Sequence, residues 1–102
     1  MFEAVESLLE QLKDEAEASS AAESILRMEA ESIVTPLRAV LLGRDPKWKA
    51  IVLERVVSVL SKEILLELSP ELFQLAMNAS DAEQDEGVDE LAENALNRLF
   101  QR

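Results

Sequence analysis

The side chains with the most chemical potential in this sequence are carboxylates. Asp81, Glu83, Asp85 and Asp89 alternate in the manner of a calcium loop. An EF-hand loop beginning at Asp81 needs glycine at its sixth position and glutamate at its twelfth, and those positions hold Glu86 and Ala92. Residues 80–86 are therefore expected to be a solvated acidic loop or a frayed helix start. Asp89, Glu90 and Glu93 form a second acidic group. Di-metal bundles set inward-pointing glutamates beside a Glu-x-x-His pair. This chain has no histidine, and these acids flank an apolar stripe rather than interrupt it. No metal and no other cofactor is expected.

A second constellation is basic and aromatic. Arg44, Lys47 and Lys49 surround Trp48, the single tryptophan. Cations beside an aromatic ring can hold nucleic acid. The plainer use is an indole packed at a corner between helices, its N–H on a backbone carbonyl. Lys49 also has a structural role open to it. The stripe that starts at Trp48 recurs at Val88, which sets Lys49 and Asp89 at equivalent places on neighbouring helices. Lys49 is thus expected near Asp89, Glu86 or Glu90. Arg44, Lys47, Trp48, Lys49, Glu86 and Asp89 are the candidate partner-binding or structural cluster.

Catalysis finds little support. The 102 residues include no cysteine, histidine or tyrosine, which removes the usual thiol, general base and pH switch. There is no G-x-S-x-G, no glycine-rich phosphate loop and no nucleophile beside a base. A non-enzymatic protein is expected.

The net charge of −11 is unevenly spread. Residues 1–31 carry nine acids against Lys13 and Arg27, and residues 69–102 carry eight acids against Arg98 and Arg102. The middle, residues 32–68, has six bases against four acids. Acidic ends repel nucleic acid and anionic membranes and attract a basic protein. The start Met1-Phe2-Glu3-Ala4-Val5-Glu6 has neither the basic residues nor the apolar run of a secretory signal. No apolar run approaches the ~20 residues of a membrane span, so the cytosol is the expected location.

The elements that must position these residues are helices. Two glycines, three prolines and abundant Ala, Leu and Glu favour them. Phe2, Val5, Leu8, Leu9, Leu12 and Ala16 trace one helical stripe that is expected to break at Ser19-Ser20, with Ser20 and Glu23 as a capping box. Ala21, Ala22, Ile25, Leu26 and Met28 follow inward on a second helix. Thr35-Pro36, Asp45-Pro46 and Ser69-Pro70 each look like a cap followed by an N1 proline. Gly43 reads as a helix end. Lys62 to Leu68 reads as a short separate turn or helix, and Leu72, Phe73, Leu75, Ala76 and Met77 as the next buried face. Val88, Leu91, Ala92, Ala95, Leu96, Leu99 and Phe100 mark the last helix, with Gly87 at or before its start.

The stripes also repeat. The positions from Trp48 to Leu60 map onto those from Val88 to Phe100 at a constant shift of 40, within the period of helix-pair solenoids. The run Ile33 to Leu41, the segment Asp45-Pro46-Lys47-Trp48-Lys49 and the segment Glu86-Gly87-Val88-Asp89-Glu90 resemble a family of small bacterial HEAT-like proteins, a domain family of unknown function. The resemblance extends from Leu8 to Leu99. The Trp-Pro that the family carries between its first two helices is absent, with Glu15 to Ser20 in its place. The resemblance implies an α-α superhelix of two to three helix pairs, and it implies no activity. The expectation is one all-α domain over residues 1–102, a HEAT-like stack of five to six short antiparallel helices. Its expected role is protein–protein interaction with a basic partner, an immunity-type protein being one form and self-association another. The alternative is a nucleic-acid-associated module using the basic belt around Trp48.

Overall fold

The computed structural model describes the backbone of residues 3–101 and the side chains of residues 5–101. Phe2, expected on the first stripe, lies outside the described residues. Seven helices occur among the described residues: α1 (Glu3–Gln11), α2 (Glu15–Leu26), α3 (Ala30–Leu42), α4 (Pro46–Arg55), α5 (Lys62–Asn78), α6 (Asp81–Asp85) and α7 (Val88–Phe100). A 3₁₀ turn at Val57–Val59 follows α4. The all-α expectation holds, with more helices than the five to six read from the sequence.

The first break falls at Leu12 to Asp14 rather than at Ser19-Ser20. Asp14 caps α2, its carboxylate accepting the Ala16 N–H at 2.9 Å. Glu15 and Glu17 lie in the first turn, where the helix dipole favours acids. Ser19 and Ser20 sit exposed within α2, so the capping box expected at Ser20 does not form. Ala16 is exposed, while Val5, Leu9 and Leu12 are buried.

Two of the three proline signals mislead in the same way. Pro36 and Pro70 lie inside α3 and α5, so Thr35 and Ser69 are not caps and Lys62 to Leu68 is not a separate element. The buried stripes run straight through both prolines: Ile33, Leu37, Val40 and Leu41 on α3, and Leu65, Leu68, Leu72 and Leu75 on α5. An interior proline costs about 3 kcal/mol, and fully burying each Leu or Ile returns roughly 1.5–3 kcal/mol. Continuity of the stripe therefore wins. On α5 the loss is partly repaired locally. Pro70 leaves the Leu66 carbonyl without its helical donor, and the Ser69 hydroxyl donates to that oxygen at 2.8 Å.

The third signal works as read. Asp45 caps α4 by accepting the Trp48 N–H at 3.2 Å, and Pro46 occupies the first turn. Gly43 ends α3 in extended backbone, where an added Cβ would lie 3.2 Å from the Val40 carbonyl oxygen. Of the two expectations for residues 80–86, a loop or a frayed helix start, the helical one is nearer: 81–85 are a short capped helix. Ser80 and Glu83 close a capping box there, Ser80 N–H to Glu83 Oε1 at 2.8 Å and Glu83 N–H to Ser80 Oγ at 3.3 Å.

The helices associate as three pairs, α1 with α2, α3 with α4, and α5 with α7. Between pairs, α1 meets α3 and α3 meets α5 on one side, while α2 meets α4 and α4 meets α7 on the other. One continuous core of buried apolar side chains runs from Val5 to Leu96 through all three pairs.

Candidate functional site

Trp48 occupies the corner where α1, α3 and α4 approach. Its indole N–H donates to the Leu9 carbonyl at 3.1 Å, tying the end of α1 to the start of α4. The Lys13 ammonium lies 4.2 Å from the centre of the ring and pairs with Glu10 at 3.3 Å. The indole thus has its polar edge committed to a carbonyl and a cation near its π system. Beside it lies a groove of about 380 Å³ whose walls include Leu9, Pro36, Val40 and Trp48 and whose rim carries Glu6, Glu10, Arg44 and Asp45.

The six residues of the sequence cluster do not come together as one site. Lys49 turns inward and is buried, on the side of α4 that faces α6. Its partner is Glu83, at 2.5 Å, and none of Asp89, Glu86 and Glu90. The expected pairing is corrected by three residues because 81–85 form a helix. The capping box fixes Glu83 at its third position and presents it to α4, while Glu86 is left exposed and Asp89 half-buried beyond the Gly87 turn. Burial pushes the Glu83 carboxyl up, but Lys49 and the Ser80 N–H and hydroxyl outweigh it and hold the carboxyl below the usual glutamate range. Arg44 and Lys47 are exposed and make no ion pair among the described residues.

Arg38 and Glu71 form a second inter-helix pair that sequence reasoning missed. Arg38 bonds Glu71 through Nε and the Glu67 carbonyl through a terminal nitrogen at 2.9 Å, joining α3 to α5. Glu71 is buried, and its Oε2 has no hydrogen-bond partner among the described residues. The signal was present in the sequence: Glu71 stands three residues after Leu68 and four before Leu75, on the buried stripe itself. Arg98 is a third cation turned to internal use. Its guanidinium donates to the carbonyls of Val57, Ser58 and Leu60, the last at 3.1 Å, and so fastens the end of α4 to α7.

The outward faces reverse several core expectations. Leu26, Phe73, Met77 and Phe100 were expected inside and are exposed, as is Leu66 from the apolar run 64–68. Leu42 and Val59 are exposed as well. Phe73 and Phe100 remain in contact at the surface, ring centres 6.2 Å apart. Lys49 and Arg38 each neutralise one carboxylate within the fold, Arg98 is held on backbone carbonyls, and Lys62 donates to the Gln101 carbonyl at 2.5 Å, so the outward surface stays strongly acidic.

No curated protein and no solved structure matches the chain in comparison. A family model described as a domain of unknown function (DUF5071) matches residues 1–96, and the chain belongs to that family.

Proposed function

We propose that this is a non-enzymatic protein-interaction module of HEAT-like build, acting in the bacterial cytosol on a partner with a basic surface. The observation that carries the reading is the disposition of charge. Lys49 and Arg38 are consumed in ion pairs within the fold, and Arg98 on backbone carbonyls. Most carboxylates of the described residues, by contrast, are exposed. An acidic surface of this kind accelerates encounter with a basic partner and disfavours acidic competitors. The three stacked helix pairs, with like layers in contact between neighbours, support the HEAT-like build. No helix among the described residues is long and apolar enough to cross a membrane. An immunity-type role, in which the module neutralises a basic toxin or nuclease, is one concrete form of the proposal.

The alternative of nucleic-acid binding around Trp48 has lost support. Of its four residues only Arg44 and Lys47 remain exposed cations, with Lys49 buried and Lys13 already beside the indole.

The test is capture from the native cell on immobilised protein, at low and at high salt. Recovery of a protein of basic isoelectric point that is released by salt is the expected result. Salt-dependent binding to duplex DNA without a protein partner would overturn the reading. So would turnover of a substrate that one carboxylate substitution abolishes.

A further inference from the structure

Both faces of α5 are apolar, and only one is buried. Leu65, Leu68, Leu72 and Leu75 face the core. Leu66, Pro70, Phe73 and Met77 are spaced by four, three and four residues and are all exposed. At 3.6 residues per turn they fall within a sector roughly 60° wide, on the side of the helix away from the core stripe. Leu66 is 63% exposed, Met77 78% and, from α7, Phe100 66%. Between the two helices Phe73, Met77 and Phe100 border a shallow groove of about 340 Å³. Isolated surface leucines need no explanation, but an aligned apolar stripe with a groove beside it is the signature of a contact surface.

The charges beside the stripe identify its occupant. On α5, Glu63 and Glu67 stand one helical step from Leu66 and Pro70 and are exposed. Glu93 lines the groove from the α7 side. The stripe is therefore flanked by carboxylates on both edges. Among the described residues, the cations carried by α5 and α7 are Lys62, whose ammonium is on the Gln101 carbonyl, and Arg98, which is bound to the turn after α4. A second copy of the chain would set these acidic rims against their own equivalents in a molecule of net charge −11. A helix with apolar residues at i, i+3 or i+4 and i+7, and with lysines or arginines on both flanks, satisfies the stripe and the rims together.

We propose that the α5–α7 face is the docking surface for a basic amphipathic helix of the partner protein. This rests on the reading of the chain as an interaction module for a basic partner and assigns that reading its surface.

The probe is a Leu/Lys peptide of about 18 residues, long enough for a full amphipathic helix, compared with its scrambled isomer and with a Leu/Glu counterpart. Binding is followed by fluorescence anisotropy to the wild type and to the double variant Leu66→Ser/Met77→Ser, whose folding is checked by circular dichroism. These two side chains are exposed, so the variant retains its core. The wild type is expected to bind the Leu/Lys peptide at least about tenfold more tightly than the scrambled isomer or the double variant does, the usual scale for removing central apolar anchors. The Leu/Glu peptide is expected not to bind. Equal binding by the double variant, or of the scrambled peptide, overturns the proposal while leaving an acidic module with a basic partner intact. Absence of Leu/Lys binding to the wild type at low salt overturns it as well. A wild-type dimer in solution that becomes monomeric in the double variant overturns it in favour of a second copy, and failure to capture any basic protein from the cell removes the underlying reading instead.

Discussion

Replacing Lys49 by methionine leaves the Glu83 carboxylate without its counter-ion in a site lined by residues of α3, α4, α5 and α6. Lys49 is 6% exposed and the Glu83 side chain 14%. Removing one member of a buried pair typically costs 3–5 kcal/mol, and because Glu83 keeps its bonds to Ser80 and some access to water, about 3 kcal/mol is expected here. For a domain of this size that lowers the melting temperature by roughly 12–24 °C. Glu83→Gln retains a hydrogen-bond acceptor for the ammonium and should cost less, about 2 kcal/mol. The double variant should lose less than the sum of the two, with a coupling energy of about 1.5–2 kcal/mol. Urea denaturation followed by circular dichroism measures all four corners of the cycle. The pH dependence gives an independent check. The folded carboxyl of Glu83 is held below its usual value, so in acid the unfolded chain takes up this proton before the folded one does. The stabilisation is therefore fully present above the unfolded value of about 4.3 and is lost as pH falls through the lower folded value. The stability gap between wild type and the methionine variant should narrow as pH falls below the unfolded value of about 4.3. A Lys49→Met variant within about 0.5 kcal/mol of wild type would refute the reasoning and class the pair with exposed ones.

Other substitutions test the remaining ties. Trp48→Phe removes the indole donor from the Leu9 carbonyl, which keeps the Leu12 N–H at 3.3 Å, with an expected loss of about 1 kcal/mol in chemical denaturation. Arg98→Ala removes a charged donor from the carbonyls after α4 and should cost about 1.5–3 kcal/mol, most of which Lys at this position would not restore because a single ammonium cannot span those oxygens. Gly87 has φ of 76° and open space around a hypothetical Cβ. Gly87→Ala should therefore destabilise by about 1 kcal/mol from backbone conformation alone, and Gly87→Asn by less, as read from melting curves.

Much of the fold's punctuation was written locally. Asp45-Pro46 caps and starts α4, Gly43 ends α3, and Gly87 turns the chain into α7, whose inward residues Val88, Ala92, Ala95 and Leu96 follow helical spacing. These features depend on a few adjacent atoms: a carboxylate reaching an N–H two or three residues on, the Val40 carbonyl that a Cβ at Gly43 would crowd, and the left-handed backbone at Gly87 that glycine adopts cheaply. The indole N–H on a backbone carbonyl also followed from residue type, since a buried N–H needs an acceptor.

What the tertiary structure decided is which of several equally good local signals prevails. Thr35-Pro36 and Ser69-Pro70 carry the same chemistry as Asp45-Pro46, yet lie mid-helix, because the apolar stripes on either side of each proline belong to one buried face. Lys49 could meet any of several carboxylates on the α6–α7 segment, and only the capped helix at 81–85 selects Glu83. On α5 the sequence supplies apolar residues for two faces, and periodicity alone does not say which faces α3 and α7. Packing buries Leu65, Leu68, Leu72 and Leu75 and leaves Leu66, Phe73 and Met77 outside, where the neighbours across the core, rather than the residues beside them in the chain, set what is hidden from water.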